Sequence, residues 1–134
     1  MITLTYQSTT LELSDRLEWS DEFTWSEVEQ QTEYATDGTL IVDVAVRKSG
    51  RLITLDGAAT ETWLTRTQML QCRAWRKLPA ARFTLVVRGE LRTVIFDQAK
   101  GGFDARPIWK LLDGEITGET LYRPTFWFIE VDDQ

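Results

Sequence analysis

The apolar positions of this chain fall into short alternating runs broken by turn residues, the pattern expected of strands buried on one face. Ile2, Leu4 and Tyr6 alternate with Thr3 and Thr5, and a second run, Thr10 to Leu13, follows the Ser8-Thr9 break, predicting a hairpin or broken first strand. Across residues 14–26 the alternation fails. Leu17, Trp19, Phe23 and Trp25 stand among charges with no clear period, which predicts an irregular acidic loop pinned by its aromatics. Thr24 to Thr36 reads as a half-exposed strand, and Asp37-Gly38 is a strong hairpin-turn signal. Beyond it Leu40, Val42, Val44 and Val46 alternate with Ile41, Asp43, Ala45 and Arg47, predicting a strand over 39–47. Lys48-Ser49-Gly50 then turns the chain into a short run, Leu52 to Leu55, of which Ile53 to Leu55 is predicted to form a second hairpin with Val42 to Val46, ending at Asp56-Gly57.

The period changes at about residue 61. Thr60 is a reasonable N-cap and Glu61 suits the first turn of a helix. At about 100° per residue, Trp63, Leu64, Thr67, Leu70, Ala74, Trp75 and Leu78 share one arc. A helix over about 61–78 is therefore predicted to cover a sheet with this stripe, turning Arg66, Arg73 and Arg76 outward, with Pro79 helping to stop it. A third hairpin follows, with Phe83, Leu85 and Val87 alternating, a turn at Gly89-Glu90, and a β run from Leu91 to Phe96. Lys100-Gly101-Gly102 reads as a flexible loop, and Ile108 to Leu112 as a short apolar run before the Asp113-Gly114 turn. The last strand, over 119–131, is apolar on both faces from Phe126 to Ile129, so it is either central in the fold or half covered by a partner chain. The expected fold class is α+β, mainly β: a β-sandwich or barrel-like sheet of about eight short strands with one covering helix, in a single domain spanning 1–134.

Composition narrows the chemistry. The 134 residues include no histidine and one cysteine, Cys72, so internal disulfides, Cys/His zinc sites and histidine-dependent nucleophiles are all excluded. No glycine-rich phosphate loop, calcium loop or nucleophile elbow is present. The expectation is a protein that is not an enzyme, with no catalytic residue, cofactor, metal or small-molecule substrate. The first ten residues lack a basic segment followed by an apolar one, and no run approaches the ~18 apolar residues of a membrane span, so a soluble protein made in the cytoplasm is expected, without membrane contact.

Charge changes the picture further. The net charge is −6, but residues 1–46 carry ten acids against one base (Arg16), whereas residues 66–92 carry seven bases against one acid (Glu90). Such runs can be plain solvated surface. A subunit with oppositely charged sides is also suited to head-to-tail contacts, which close into rings when the rotation permits. The basic helix face of Arg66, Arg73, Arg76 and Lys77 could instead meet nucleic acid, but the acidic balance argues against it. Of the six tryptophans, Trp63, Trp75 and Trp127 are expected in the core. Trp19 and Trp25, lying among acids, are either core or interface anchors. The candidate interface residues are thus Trp19, Trp25, Arg66, Arg73 and Arg76.

The segments Leu17 to Val28, Gly38 to Gly57, Trp63 to Trp75, Arg82 to Phe96 and Thr125 to Val131 together resemble small tail proteins of bacteriophages and prophages. The resemblance implies a noncatalytic structural component of the tail-tip or baseplate region, similar in fold to tail-tube and distal-tail proteins. It implies a homo-oligomeric ring in contact with other tail or baseplate proteins, located in the virion. It also implies that Gly50 and Gly57 mark turns and that Trp63 anchors the helix. The alternative expectation is a small acidic binding module or inhibitor of a host protein.

Overall fold

The computed structural model describes residues 2–47, 50–57 and 62–131. The protein is mainly β, with a large antiparallel sheet and one α-helix. In chain order the described elements are β1 (Ile2–Tyr6), β2 (Thr9–Leu13), β3 (Glu18–Trp19), β4 (Val28–Tyr34), β5 (Leu40–Val46), β6 (Leu52–Asp56), β7 (Leu64–Thr65), α1 (Arg66–Arg76), β8 (Phe83–Val87), β9 (Glu90–Phe96), β10 (Phe103–Pro107) and β11 (Leu121–Glu130). Nine of the strands form one sheet in the order β2-β1-β8-β9-β11-β6-β3, with β10 and β7 also paired to β11. The remaining two, β4 and β5, form a sheet of their own.

The registers place every core strand with the same face inward. Leu4 lies between Leu11 and Leu85, Phe128 between Phe96 and Ile53, and Phe126 between Phe103 and Leu55, which in turn pairs with Trp19. Because strand side chains alternate with period two, the opposite face receives Thr3, Thr5, Thr84, Thr93 and Thr125. On the inner face a continuous series of ring contacts runs from Tyr6 and Trp75 through Phe83, Phe96 and Phe128 to Phe126 and Phe103, with centroids 5.1–6.3 Å apart. Aromatic residues are efficient here because each removes a large apolar area from water.

The helix is shorter than the sequence predicts and turned about its axis. Leu64 and Thr65 pair with β11 as β7, so α1 begins only at Arg66. Thr65 caps it in a reciprocal box with Gln68: its side chain accepts from the Gln68 N–H, and the Gln68 Oε1 accepts from the Thr65 N–H at 2.9 Å. Two further free N–H groups of the first turn donate to the carbonyls of Thr120 and Gly118. The proposed cap and first-turn acid, Thr60 and Glu61, lie outside the described residues, as do Lys48 and Ser49 of the expected turn. The buried face is Met69, Cys72 and Trp75, while Thr67, Leu70 and Ala74 of the predicted stripe are exposed. Anchoring through β7 sets the rotation at which the helix meets the sheet, and that rotation selects the 69/72/75 row. Trp63 precedes β7, is 46% exposed and anchors no helix.

Other expectations are corrected by pairing. β5 does not pair with β6: β6 pairs with β11 along its length and with β3 at Leu55 and Asp56, and β5 pairs with β4. The segment expected to be half exposed, β4, is exposed along its whole length. Residues 14–26 contain the short β3 with Leu17 and Trp19 buried, while Phe23 points into solvent. Gly101 and Gly102 lie outside any strand, and β10, for which the sequence gives no expectation, begins directly after them; Ile108 to Leu112 forms no strand, and Trp109 and Leu112 are exposed. The final strand is central: Phe128 has Phe96 on one side and Ile53 on the other. Gly57 is required for a steric reason, since its N–H donates to the Pro124 carbonyl at 2.9 Å and a Cβ there would collide with that oxygen.

Two outcomes follow from this packing. Phe126→Ala removes a fully buried ring at the centre of the sheet and should cost about 3–5 kcal/mol in urea unfolding, whereas Val44→Thr in the exposed β5 should stay within about 0.5 kcal/mol. Burial pushes the Cys72 thiol up to about 12, so it stays protonated in the fold while the unfolded chain ionises above about pH 8.5. The unfolded state then binds fewer protons than the native one, and stability declines as pH rises toward 12. The melting temperature should therefore fall more steeply between pH 8 and 11 for the wild type than for Cys72→Ala.

Candidate functional site

The two-stranded sheet of β4 and β5 is an arm. Its seven paired positions run from Val28 opposite Val46 to Tyr34 opposite Leu40, and among the described residues neither strand pairs with the main sheet. Residues directly opposite share a face. One face therefore carries Val28, Val46, Val44, Val42, Tyr34 and Leu40, interrupted by Gln30 and Thr32, and the other carries Glu29, Glu33 and Asp43 with Gln31, Ala45 and Ile41. The apolar face is uncovered: Tyr34 is 76% exposed, Val46 68% and Val44 60%. At the tip the Ala35 N–H donates to the Thr39 carbonyl at 2.8 Å, and the Asp37 Oδ1 accepts from the Thr39 N–H at 2.9 Å. These Thr39 contacts hold the Asp37 carboxyl below its ordinary range.

The base of the arm is tied to the body by stacked cations and rings. The Arg51 guanidinium lies 4.8 Å from the Trp19 ring and 5.6 Å from the Trp25 ring, and Arg47 lies 6.0 Å from Trp25. Arg92 and Arg88 also approach Trp19, at 5.3 and 5.7 Å. This is not an anion site, because carboxylates accompany the arginines: Arg92 pairs with Glu90 and with Glu130, and Arg88 lies 3.8 Å from Glu22. Arg51 also donates through Nη2 to the Glu22 backbone carbonyl at 2.6 Å, and the Glu130 N–H donates to the Arg51 carbonyl at 2.8 Å.

A second feature lies between α1 and β10. The helix rotation that buries Met69 and Cys72 sets Arg66, Leu70 and Arg73 along the flank facing β10, one turn apart. They frame a cavity of about 130 Å³ with Phe103 and Ala105 among its walls. Arg66 Nη1 donates to the Tyr122 hydroxyl at 2.7 Å, and Arg76 lies 4.4 Å over the Phe103 ring while donating to the carbonyls of Gly101 and Phe103. Among the described residues, none of Arg66, Arg73 and Arg76 pairs with a carboxylate. On the opposite face Arg106 stands directly across from Arg123, a like-charge pair only partly relieved by Asp104 at 3.7 Å from Arg106.

The structure thus brings Arg66, Arg73 and Arg76 together around one groove and places Trp25 at the root of the arm. Trp19, 6% exposed, belongs to the core and offers a neighbour little surface. The exposed apolar face of the arm was not singled out from sequence, although its signal is present: the alternation over Leu40 to Val46 is the same one that marks a core strand. Among the described residues no group of three acidic or cysteine side chains is placed to hold a metal, and no helix is long and apolar enough to cross a membrane. The chain matches no protein-family model, and comparison with curated proteins and with solved structures finds no match.

Arg51 is the joint between arm and body, in contact with two tryptophans and the Glu22 backbone. Arg51→Ala should cost about 1–3 kcal/mol in chemical unfolding. Arg51→Lys should recover less than half of that, because an ammonium lacks the planar face that stacks between two rings.

Proposed function

We propose that this protein is a noncatalytic structural component of a phage or prophage tail, in the baseplate or tail-tip region, assembled through protein–protein contacts with copies of itself in a ring and with neighbouring tail proteins. The observation that carries the assembly part of this reading is the uncovered apolar face of the arm. A two-stranded hairpin is marginal in water by itself, and a valine, leucine or tyrosine on it gains about 1.5–3 kcal/mol when fully buried. Such a face, projecting from a well-packed body, supports a role in which the arm meets another chain. The separation of acidic arm from basic groove supports head-to-tail rather than face-to-face contact. The tail setting comes from the sequence resemblance over most of the chain.

Light scattering over a concentration and salt series tests the reading. The expected result is a discrete oligomer of several subunits that loosens at high salt, and that is lost when Val42, Val44 and Val46 are replaced together by threonine without loss of the folded body. A wild-type chain that stays monomeric at high concentration and binds one host protein tightly would overturn it in favour of an acidic binding module. Hydrolytic activity abolished by one carboxylate substitution would overturn it in favour of an enzyme.

A further inference from the structure

We propose that the arms of about four copies pair edge to edge, β5 of one with β4 of the next, and close into a small barrel with the apolar face of the arm inside. This inference rests on the assembly reading above and specifies its contact.

Both edges of the arm are open. The Ala35 N–H donates to the Thr39 carbonyl at 2.8 Å and the Arg47 N–H to the Glu27 carbonyl at 2.6 Å, so the odd-numbered residues bond across the hairpin. These groups alternate in direction along a strand, so the N–H and carbonyl of Leu40, Val42, Val44 and Val46 point out of β5, and those of Gln30, Thr32 and Tyr34 point out of β4. Val28, on the same edge of β4, is occupied by the Ser26 hydroxyl at 3.2 and 3.3 Å. The main sheet protects its ends instead: the Glu12 carbonyl of β2 accepts from Gln68 Nε2 at 3.2 Å, β3 has two residues, and β10 has Arg76 on its Phe103 carbonyl and ends in Pro107. Neither β4 nor β5 carries the lysine or proline that blunts an edge. The even-numbered residues that offer main-chain bonds also carry the apolar side chains, so one pairing can satisfy both.

Unlike edges are the ones that pair. Joining β5 to β5 about its centre sets Asp43 against Asp43, stops at two copies and leaves the apolar face in water. Stacking two arms face to face covers that face but leaves every strand edge open. β5 against β4 of the next copy is antiparallel, as within the hairpin, and fills both edges of every arm once the ring closes. About eight strands enclose an interior that side chains fill, and each copy supplies β4 and β5, hence about four copies. Closure requires a stagger, and a step of about two residues per copy keeps every apolar side chain inward and gives a shear of about eight. Inside lie Val28, Tyr34, Leu40, Val42, Val44 and Val46. Gln30 and Thr32 meet their own copies around the axis, where an amide that both donates and accepts closes a ring of hydrogen bonds. Glu29, Glu33 and Asp43 stay outside in water. At roughly 60 Å² of exposed apolar area for each of the six inward side chains, and about 110 Å² for each of two strand edges about 23 Å long, one copy buries roughly 600 Å², against ~600–1,000 Å² per partner in stable interfaces.

The test is native mass spectrometry with sedimentation velocity on the full-length chain at one ionic strength, with circular dichroism as the folding control. The wild type should hold about four copies. Thr32→Pro and Val42→Pro each remove an outward N–H that the hairpin does not use, and each should be monomeric. Val44→Lys leaves the main chain untouched but sends an ammonium into the interior, and should weaken assembly by about tenfold or more. Asp43→Lys, on the outer face, should keep the count at about four. A different count for the wild type, assembly that survives either proline, or a Val44→Lys variant that assembles as well as wild type would overturn the closed barrel while leaving assembly through the arm intact. A wild-type chain that never associates would overturn both.

Discussion

The fold depends on one strand. β11 runs for ten residues and pairs along its length with four others, β9 and β10 on one side and β6 and β7 on the other. Phe126 and Phe128 supply the inner face of this strand, and the aromatic series that begins at Tyr6 and Trp75 ends on them. Even the helix is subordinate to β11, since the two residues that pair as β7 set both where α1 starts and which of its faces meets the core.

Against that body the arm is an inversion of ordinary logic. Its pattern is that of a half-buried strand, yet nothing in the chain covers it among the described residues, and its stability has to come from the ladder, the Asp37-Gly38 turn and the stacked base at Trp25, Arg51 and Trp19. The core buries Phe83, Phe126 and Phe128 almost completely, while the arm leaves six apolar side chains in water on one face, and that contrast is what the proposed assembly role rests on.

How much was legible before the fold was known differs by element. The alternations in β1, β5 and β8 were readable because period two is a local property that these short runs keep, whereas β9 and β11 were legible as continuous apolar runs, Val94 to Phe96 and Phe126 to Ile129. β10 was not, because Phe103–Pro107 has a single large apolar residue and ends in a proline, too weak a signal over five residues, and it is held as a strand by pairing with β11. The helix was visible but its face was not: Leu70 and Met69 are neighbours in sequence and 100° apart on the helix, and two apolar arcs compete there. Of the site, the cluster of Arg66, Arg73 and Arg76 could be named from charge and spacing alone, whereas Phe103 and Ala105, which turn it into a groove, come from a strand the pattern concealed.

By itself, then, the sequence determined a mainly β chain with one helix, an acidic first third and a basic middle, and no histidine chemistry, because period, turn residues and composition are local quantities. Only the tertiary structure decided which alternating strand is core and which is arm. Leu40 to Val46 and Phe83 to Val87 are equally apolar and equally regular, and they differ in whether a neighbouring strand and helix close over them. A sheet face is buried by the layer that packs on it: Trp75 of α1 lies against Phe83 of β8, whereas β5 pairs with β4 alone and no described residue closes over its apolar face.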